Sequence, residues 1–202
     1  MKIIRAEEGI PSGQHSVVAL GFFDGVHIGH AQLVERAAAI ARPRGLLVCV
    51  HTFDRMPARV LHPDAKIREL TLLPEKAALL CALGTDVVAV SHFDETMMRM
   101  RAKDFFRNIL QDKLAAKYVI AGFHHRFGFR EEAGVDELSA YCQAANIGLE
   151  VISPVTLPDG ELVSSTAIRK LLDAGNIPAA QEMLGRPLKM KTGITGIQEE
   201  MA

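Results

Sequence analysis

Charge of one sign is what this sequence most plainly lacks. Its 23 lysines and arginines stand against 24 aspartates and glutamates, leaving a formal net charge of −1. That balance carries no electrostatic footprint for DNA, RNA or an anionic membrane, which excludes nucleic acid and membrane as general partners. Cysteine is scarce. Cys49, Cys81 and Cys142 are odd in number, and no two are close enough for a Cys-x-x-Cys. Each sits in an apolar stretch, so three core thiols in a reducing compartment are expected rather than a disulfide framework. The opening residues, Met1-Lys2-Ile3-Ile4-Arg5-Ala6-Glu7-Glu8, hold no signal-peptide apolar core. No apolar run approaches the roughly 18 residues of a membrane span. A cytoplasmic protein is expected. Internal repeats and low-complexity segments are absent as well.

What is present is a regular alternation. The 202 residues suffice for one domain with a full core and no metal or disulfide staple. Ser16 to Phe22 is a short apolar run ending in glycine, aspartate and glycine, and His30 to Arg42 follows with Leu33, Val34, Ala37, Ala38 and Ile40 at helical spacing. Pro43 and Gly45 close that helix, and Leu46 to Val50 is continuous and apolar, as in a strand covered on both faces. The pattern recurs. Helices are expected over Pro74 to Leu83, Ala102 to Leu114 and Asp136 to Ala145, and strands over Val87 to Val90, Tyr118 to Ala121 and Leu149 to Ile152. This order predicts an α/β domain, Rossmann-like, with about five parallel strands sandwiched by helices. Ligands of such sheets sit beyond the carboxyl ends of the strands. The segments to inspect are therefore Gly21 to His30, His51 to Pro57, His92 to Asp94, Gly122 to Gly128 and Ser153 to Thr166.

Three of these segments carry chemistry. In Gly21-Phe22-Phe23-Asp24-Gly25-Val26-His27-Ile28-Gly29-His30, two histidines flank a glycine at a helix N-terminus. Exposed amides and the helix dipole favour anions there, and Gly29, lacking a Cβ, lets backbone approach a phosphate. His27 and His30 can each donate to phosphate oxygens and meet the charge of a pentavalent α-phosphorus and a departing pyrophosphate. The bland alternative is two unrelated turn histidines. In Ser164-Ser165-Thr166-Ala167-Ile168-Arg169, consecutive hydroxyls open a helix. Alone they read as N-caps, but beside the histidine segment they and Arg169 read as a second phosphate contact. In Gly122-Phe123-His124-His125-Arg126-Phe127-Gly128, aromatic rings among glycines and imidazoles could border a base or a planar acceptor. Adjacent loop histidines without carboxylate or cysteine partners make a weak metal site, so no protein-held metal is expected.

The residues then match a family. Phe23 to His30, Thr52-Phe53-Asp54, Leu70-Thr71 followed by Glu75-Lys76, Phe127-Gly128 and Ser164 to Arg169 occur in one order. From about Val17 to Pro187 that order resembles the FMN adenylyltransferase module of bacterial bifunctional riboflavin kinase/FAD synthetase. The resemblance implies a nucleotidyltransferase fold that makes FAD and pyrophosphate from FMN and ATP with Mg²⁺. It puts His27 and His30 on the triphosphate, with Ser164, Ser165, Thr166 and Arg169 on the opposite wall. Asp24 and Gly25, with Gly21, Phe22, Phe23 and Gly29, would lie along the nucleotide, and the acceptor would enter from the Phe53 and Phe127 side. His124 fills a slot where the family usually has Asp or Asn. Arg55-Met56-Pro57 stands where it usually reads Pro-His-Pro, and its later Arg-x-Gly does not align with Arg130 and Gly134. These departures lie on the acceptor side or near the base. They leave open another phosphorylated acceptor, or a nucleotide-binding module without turnover. Leu184-Gly185-Arg186-Pro187 looks like the family's junction, so the expected organisation is a nucleotidyltransferase domain over 1–187 and a tail or stump over 188–202. No Pro-Thr-Ala-Asn kinase motif occurs.

Overall fold

The computed structural model describes residues 1–61, 64 and 67–188, so all but Leu188 of the expected tail lies outside the described residues. Six strands form one parallel sheet: β1 Lys2–Arg5, β2 Ser16–Leu20, β3 Leu47–Phe53, β4 Val87–Ser91, β5 Ala116–Gly122 and β6 Gly148–Ile152, in the order β1-β4-β3-β2-β5-β6. The helices are α1 Ile28–Ala41, α2 Pro57–Leu61, α3 Leu73–Ala82, α4 Glu95–Arg99, α5 Ala102–Asp104, α6 Val135–Ala144, α7 Ser165–Asp173 and α8 Ile177–Leu184. The α/β class and the parallel sheet are as expected. The expected count of five strands is not, because β1 was missing from it. Its exposed Lys2, Ile3 and Arg5 give no apolar run, and the segment is a strand only because β4 pairs with it from Lys2↔Val87 to Arg5↔Val90.

Alternation along β2 builds a core on each face of the sheet. Val17 and Ala19 meet α1 and α3 through Val34, Ala37 and Leu80. Val18 and Leu20 meet Phe106, Leu110 and Leu138 on the other side. Burial on both faces is why the central strands read as continuous apolar runs. The expected helix from Ala102 continues beyond α5 as a π-helical segment, Phe105–Lys113, with Phe105, Phe106, Ile109 and Leu110 buried. A third cluster joins α7 to α8 through Ile168, Ala180, Met183 and Leu184. One thiol departs from expectation: Cys49 and Cys142 are buried, but Cys81 is exposed on α3. The buried stripe of α3 is Lys76, Ala77 and Leu80, which turns Cys81 outward. Among the described residues, no helix is long and apolar enough to cross a membrane.

Candidate active site

Strand β2 lies at the point where the chain reverses direction across the sheet, with β3 on one side and β5 on the other. The crevice outside the carboxyl ends of such strands is where an α/β sheet binds ligands. Here it is filled by the turn from Gly21 to His27, which leads from β2 into α1. The turn is tight. Phe23 (φ 57°), Gly25 (φ 80°) and Val26 (φ 40°) all take left-handed backbone, unusual for a β-branched residue such as Val26. A Cβ on Gly25 would stand 2.8 Å from Leu70 Cδ1, so glycine is required there by space as well as by φ.

Distant residues hold this turn. Thr52 Oγ1 and Lys76 Nζ both donate to the Phe22 carbonyl at 2.8 Å. Arg186 donates to the Gly25 carbonyl at 2.6 Å and to the Val26 carbonyl at 2.8 Å. The Asp24 carboxylate, 2 % exposed, accepts from the Leu70 amide at 2.9 Å and the Thr71 amide at 3.1 Å, and pairs with Arg169. Thr71 Oγ1 accepts from the Gly25 amide at 3.0 Å. Over-determination of this kind is what lets a strained turn persist.

At the exit of the turn the two imidazoles stack, ring centroids 3.6 Å apart. His27 caps α1, its Nδ1 accepting from the His30 amide at 3.3 Å. The His27 proton therefore sits on Nε2, free to be donated. Burial, and then the Arg186 charge, push the His27 pKa down to about 4. Burial, and then the His27 and Lys76 charges, hold His30 well below the usual histidine value. Both rings are thus neutral at pH 7. The His30 Nδ1 is enclosed without a hydrogen-bond partner. Lys76, 2 % exposed, lies with its Nζ 3.7 Å from the centre of the Phe22 ring. Burial draws its pKa down to about 8, against the Asp24 and Glu69 charges, so the ammonium persists at neutral pH.

The three hydroxyls at the start of α7 have three different fates. Ser164 is an ordinary N-cap, accepting from the Ala167 amide at 3.1 Å. Ser165 donates to the Asp24 carbonyl at 2.8 Å, tying α7 to the histidine turn. Thr166 is exposed and lines the cavities on both sides of the turn. Arg169 is turned inward: Nε donates to the Arg68 carbonyl at 2.7 Å while the guanidinium pairs with Asp24.

Three adjoining cavities surround the turn. A cleft of about 380 Å³ runs between His27, Gly29 and His30 on one side and Ser164, Ser165 and Thr166 on the other, with Phe123, His124, Pro154 and Leu162 at its apolar end. A pocket of about 270 Å³ is lined by Phe22, Phe53, Phe93, Phe105, Phe127 and three methionines of the α4 segment, Met97, Met98 and Met100. The two share Leu20, Gly21 and His125. A third cavity of about 430 Å³, lined by Phe23, Asp24, His30, Thr166 and Arg169, joins both on the outer side. The residues expected to catalyse or to bind nucleotide and acceptor each line one of these three, except Gly25, which faces Leu70 and Leu184 behind the turn. His124 belongs to the cleft and not to the aromatic pocket.

Several residues hold places that the sequence did not assign them, although Lys76 and His51 fall within segments it singled out. Lys76 carried a signal, a lysine on the apolar stripe with Ala77 and Leu80. Arg186 read only as part of a junction, since nothing local reports its reach to residues 25 and 26. His51 is 2 % exposed, bonds Ser91 Oγ at 2.9 Å, and lines the aromatic pocket.

The family model for FAD synthetase matches residues 10–167. A bifunctional riboflavin kinase/FMN adenylyltransferase of Listeria monocytogenes is 33% identical over 88% of this chain and 56% of its own length. That of Escherichia coli K12 is 32% identical over 93% of this chain and 60% of its own. The chain thus spans less than two thirds of these relatives. A putative bifunctional riboflavin kinase/FMN adenylyltransferase of Geobacillus thermodenitrificans is 33% identical, with 93% of this chain and 99% of that protein covered. Among solved structures, one from Streptococcus pneumoniae named a macrolide-efflux protein superposes with a TM-score of 0.80 at 30% identity, over 93% of this chain and 60% of that one. A pantoate–β-alanine ligase from Francisella tularensis, at 14% identity, shares the fold with a TM-score of 0.58, over 92% of this chain and 78% of that one.

Proposed function

The chain belongs to the FAD synthetase family, and from that premise we propose that it transfers the AMP moiety of ATP to FMN, releasing pyrophosphate. The observation that carries this reading is the wall shared by two unlike cavities. An imidazole-lined cleft at the N-termini of α1 and α7 suits a triphosphate, and an aromatic pocket suits a flat acceptor ring. They share Leu20, Gly21 and His125, so an acceptor in one would lie beside a nucleotide in the other.

In this reading the adenine lies at the apolar end of the cleft, against Phe123, Pro154 and Leu162. A phosphate oxygen of FMN attacks the α-phosphorus. A new P–O bond forms, the bond to the bridging oxygen breaks, and pyrophosphate leaves with the electron pair. The nucleophile belongs to the acceptor, so the protein supplies position and charge stabilisation. His27, its proton on Nε2, and His30 donate to phosphoryl oxygens. Amides at the starts of α1 and α7 join them, and Lys76 adds fixed positive charge near His30. Arg169 and Arg186 act on the turn, one through Asp24 and the other through the Gly25 and Val26 carbonyls.

Mg²⁺ enters with ATP as part of the substrate. The carboxylate in the β2–α1 turn is already engaged by two amides and Arg169, and no group of three His, Cys, Asp or Glu among the described residues is arranged to hold a metal. Residues 1–187 are proposed as the complete adenylyl-transfer unit, closed by Arg186 folding back onto the turn. The test is direct: purified chain with ATP, FMN and Mg²⁺ should yield FAD and pyrophosphate in equal amounts by HPLC. ATP consumption with another phosphorylated acceptor, and none with FMN, would remove FMN from the proposal.

A further inference from the structure

Aromatic rings and methionines make up much of the aromatic pocket's lining; Arg126, Arg130 and Glu131 also line it, and two imidazoles, His51 and His125, stand among the rings. His51, within β3, has its Nε2 bonded to Ser91 Oγ at 2.9 Å. His125 follows β5. Its ring stacks on Phe127, centroids 5.6 Å apart and 21° between planes, and it lines both the aromatic pocket and the nucleotide cleft. Its Nε2 is enclosed and has no hydrogen-bond partner.

An enclosed ring nitrogen without a partner is costly, and native structures rarely keep one without a reason. Among the described residues only three side-chain nitrogen or oxygen atoms are in this state: His30 Nδ1, Thr85 Oγ1 and His125 Nε2. Two of the three belong to residues lining the candidate site. The His30 ring faces the proposed triphosphate cleft. His125 stands among Phe53, Phe105 and Phe127, where a flat ring would enter. Burial holds its pKa down at about 4, so it meets a ligand as a neutral ring able to form one hydrogen bond with an uncharged partner.

We propose that His125 Nε2 reads the polar edge of the acceptor's heteroaromatic ring, making it a specificity-determining residue of the acceptor pocket. The assignment rests on the FMN reading above. An aromatic and thioether lining accepts any flat apolar body, whereas a single enclosed imidazole nitrogen rewards a ring whose edge offers a hydrogen-bonding atom. A ring without one leaves that nitrogen unpaired, the situation that gives buried polar sites their discrimination.

The experiment is calorimetric titration of the full chain and of two variants, His125→Phe and His125→Gln, with FMN and separately with ATP and Mg²⁺. His125→Phe keeps a ring on Phe127 and removes the nitrogen. It should weaken FMN binding about tenfold, the scale of one lost hydrogen bond, and weaken it more than ATP binding. His125→Gln restores a polar atom and should recover part of the loss, which a packing role would not. FMN binding to His125→Phe as tight as to the unaltered chain overturns the assignment. Unaltered protein that binds ATP but not FMN overturns the acceptor reading itself, and the two failures are thereby told apart.

Discussion

Mild acid should unfold this protein, and the site's own histidines are the reason. His27 is held down to about 4, His51 to about 3 and His125 to about 4, each chiefly by burial. The charged neighbours act the same way: Arg186 on His27 and His125 on His51. His30 is displaced in the same direction, by burial and then by His27 and Lys76. In the unfolded chain all four titrate near 6.5. Below that pH the unfolded state binds protons that the folded state refuses, so stability falls as pH drops from about 6.5 toward 4. Each fully linked group removes about 1.4 kcal/mol per pH unit. From pH 7 to pH 5, His27, His51 and His125 together remove on the order of 5 kcal/mol. That compares with a total of about 5–15 kcal/mol for a typical domain. Urea unfolding followed by circular dichroism at pH 7, 6 and 5 measures the loss, and between pH 6 and 5 the dependence should correspond to uptake of about three protons. His51→Asn should lower the dependence by about one proton. Equal unfolding free energies at pH 7 and pH 5 would refute the neutral-imidazole account, and with it the protonation state assigned to His27.

Other perturbations act on the turn. His27→Ala should lower the rate of pyrophosphate release roughly 10²–10³-fold, as loss of a transition-state donor does, with little change in the KM for ATP. A loss within threefold would place His27 outside the chemistry. Arg186→Gln removes the charge beside His27 and weakens the grip on the Gly25 and Val26 carbonyls. The His27 imidazole resonances in NMR should then titrate at higher pH, and kcat should fall without weaker FMN binding. Asp24→Ala strands Arg169 and two buried amides, and should cost about 3–5 kcal/mol in urea unfolding. A smaller loss would mean that the turn is held mainly by Thr52, Lys76 and Arg186.

Much of the fold was legible because it is encoded locally. β2, β3 and β4 are short apolar runs buried on both faces, β5 and β6 hold shorter apolar stretches, and the four longer helices α1, α3, α6 and α7 carry apolar spacing or a cap at their own ends. The histidine turn was legible for the same reason: its glycines, aspartate and imidazoles fall within ten consecutive residues at a strand–helix junction. β1 failed this test because its only apolar residues, Ile3 and Ile4, lie on an edge strand that β4 completes. Cys81 failed it because an apolar neighbourhood in sequence does not say which side of a helix faces the core.

The roles within the site were decided at long range. Ser164, Ser165 and Thr166 look interchangeable in sequence, yet one caps, one ties the turn through a contact 141 residues away, and one stays open. By sequence Arg169 reads as a phosphate contact, whereas in the folded chain it donates to the Asp24 carboxylate and the Arg68 carbonyl. Sequence by itself determined the parallel α/β layering and the turn that carries two imidazoles at a helix N-terminus, since periodicity, glycine and helix N-termini act over a few residues. Tertiary structure alone decided that these imidazoles are neutral, that Arg186 clamps the turn from 161 residues away, and that an aromatic pocket opens beside them. Burial and field at a point depend on what the whole chain brings there, and no short segment contains that information.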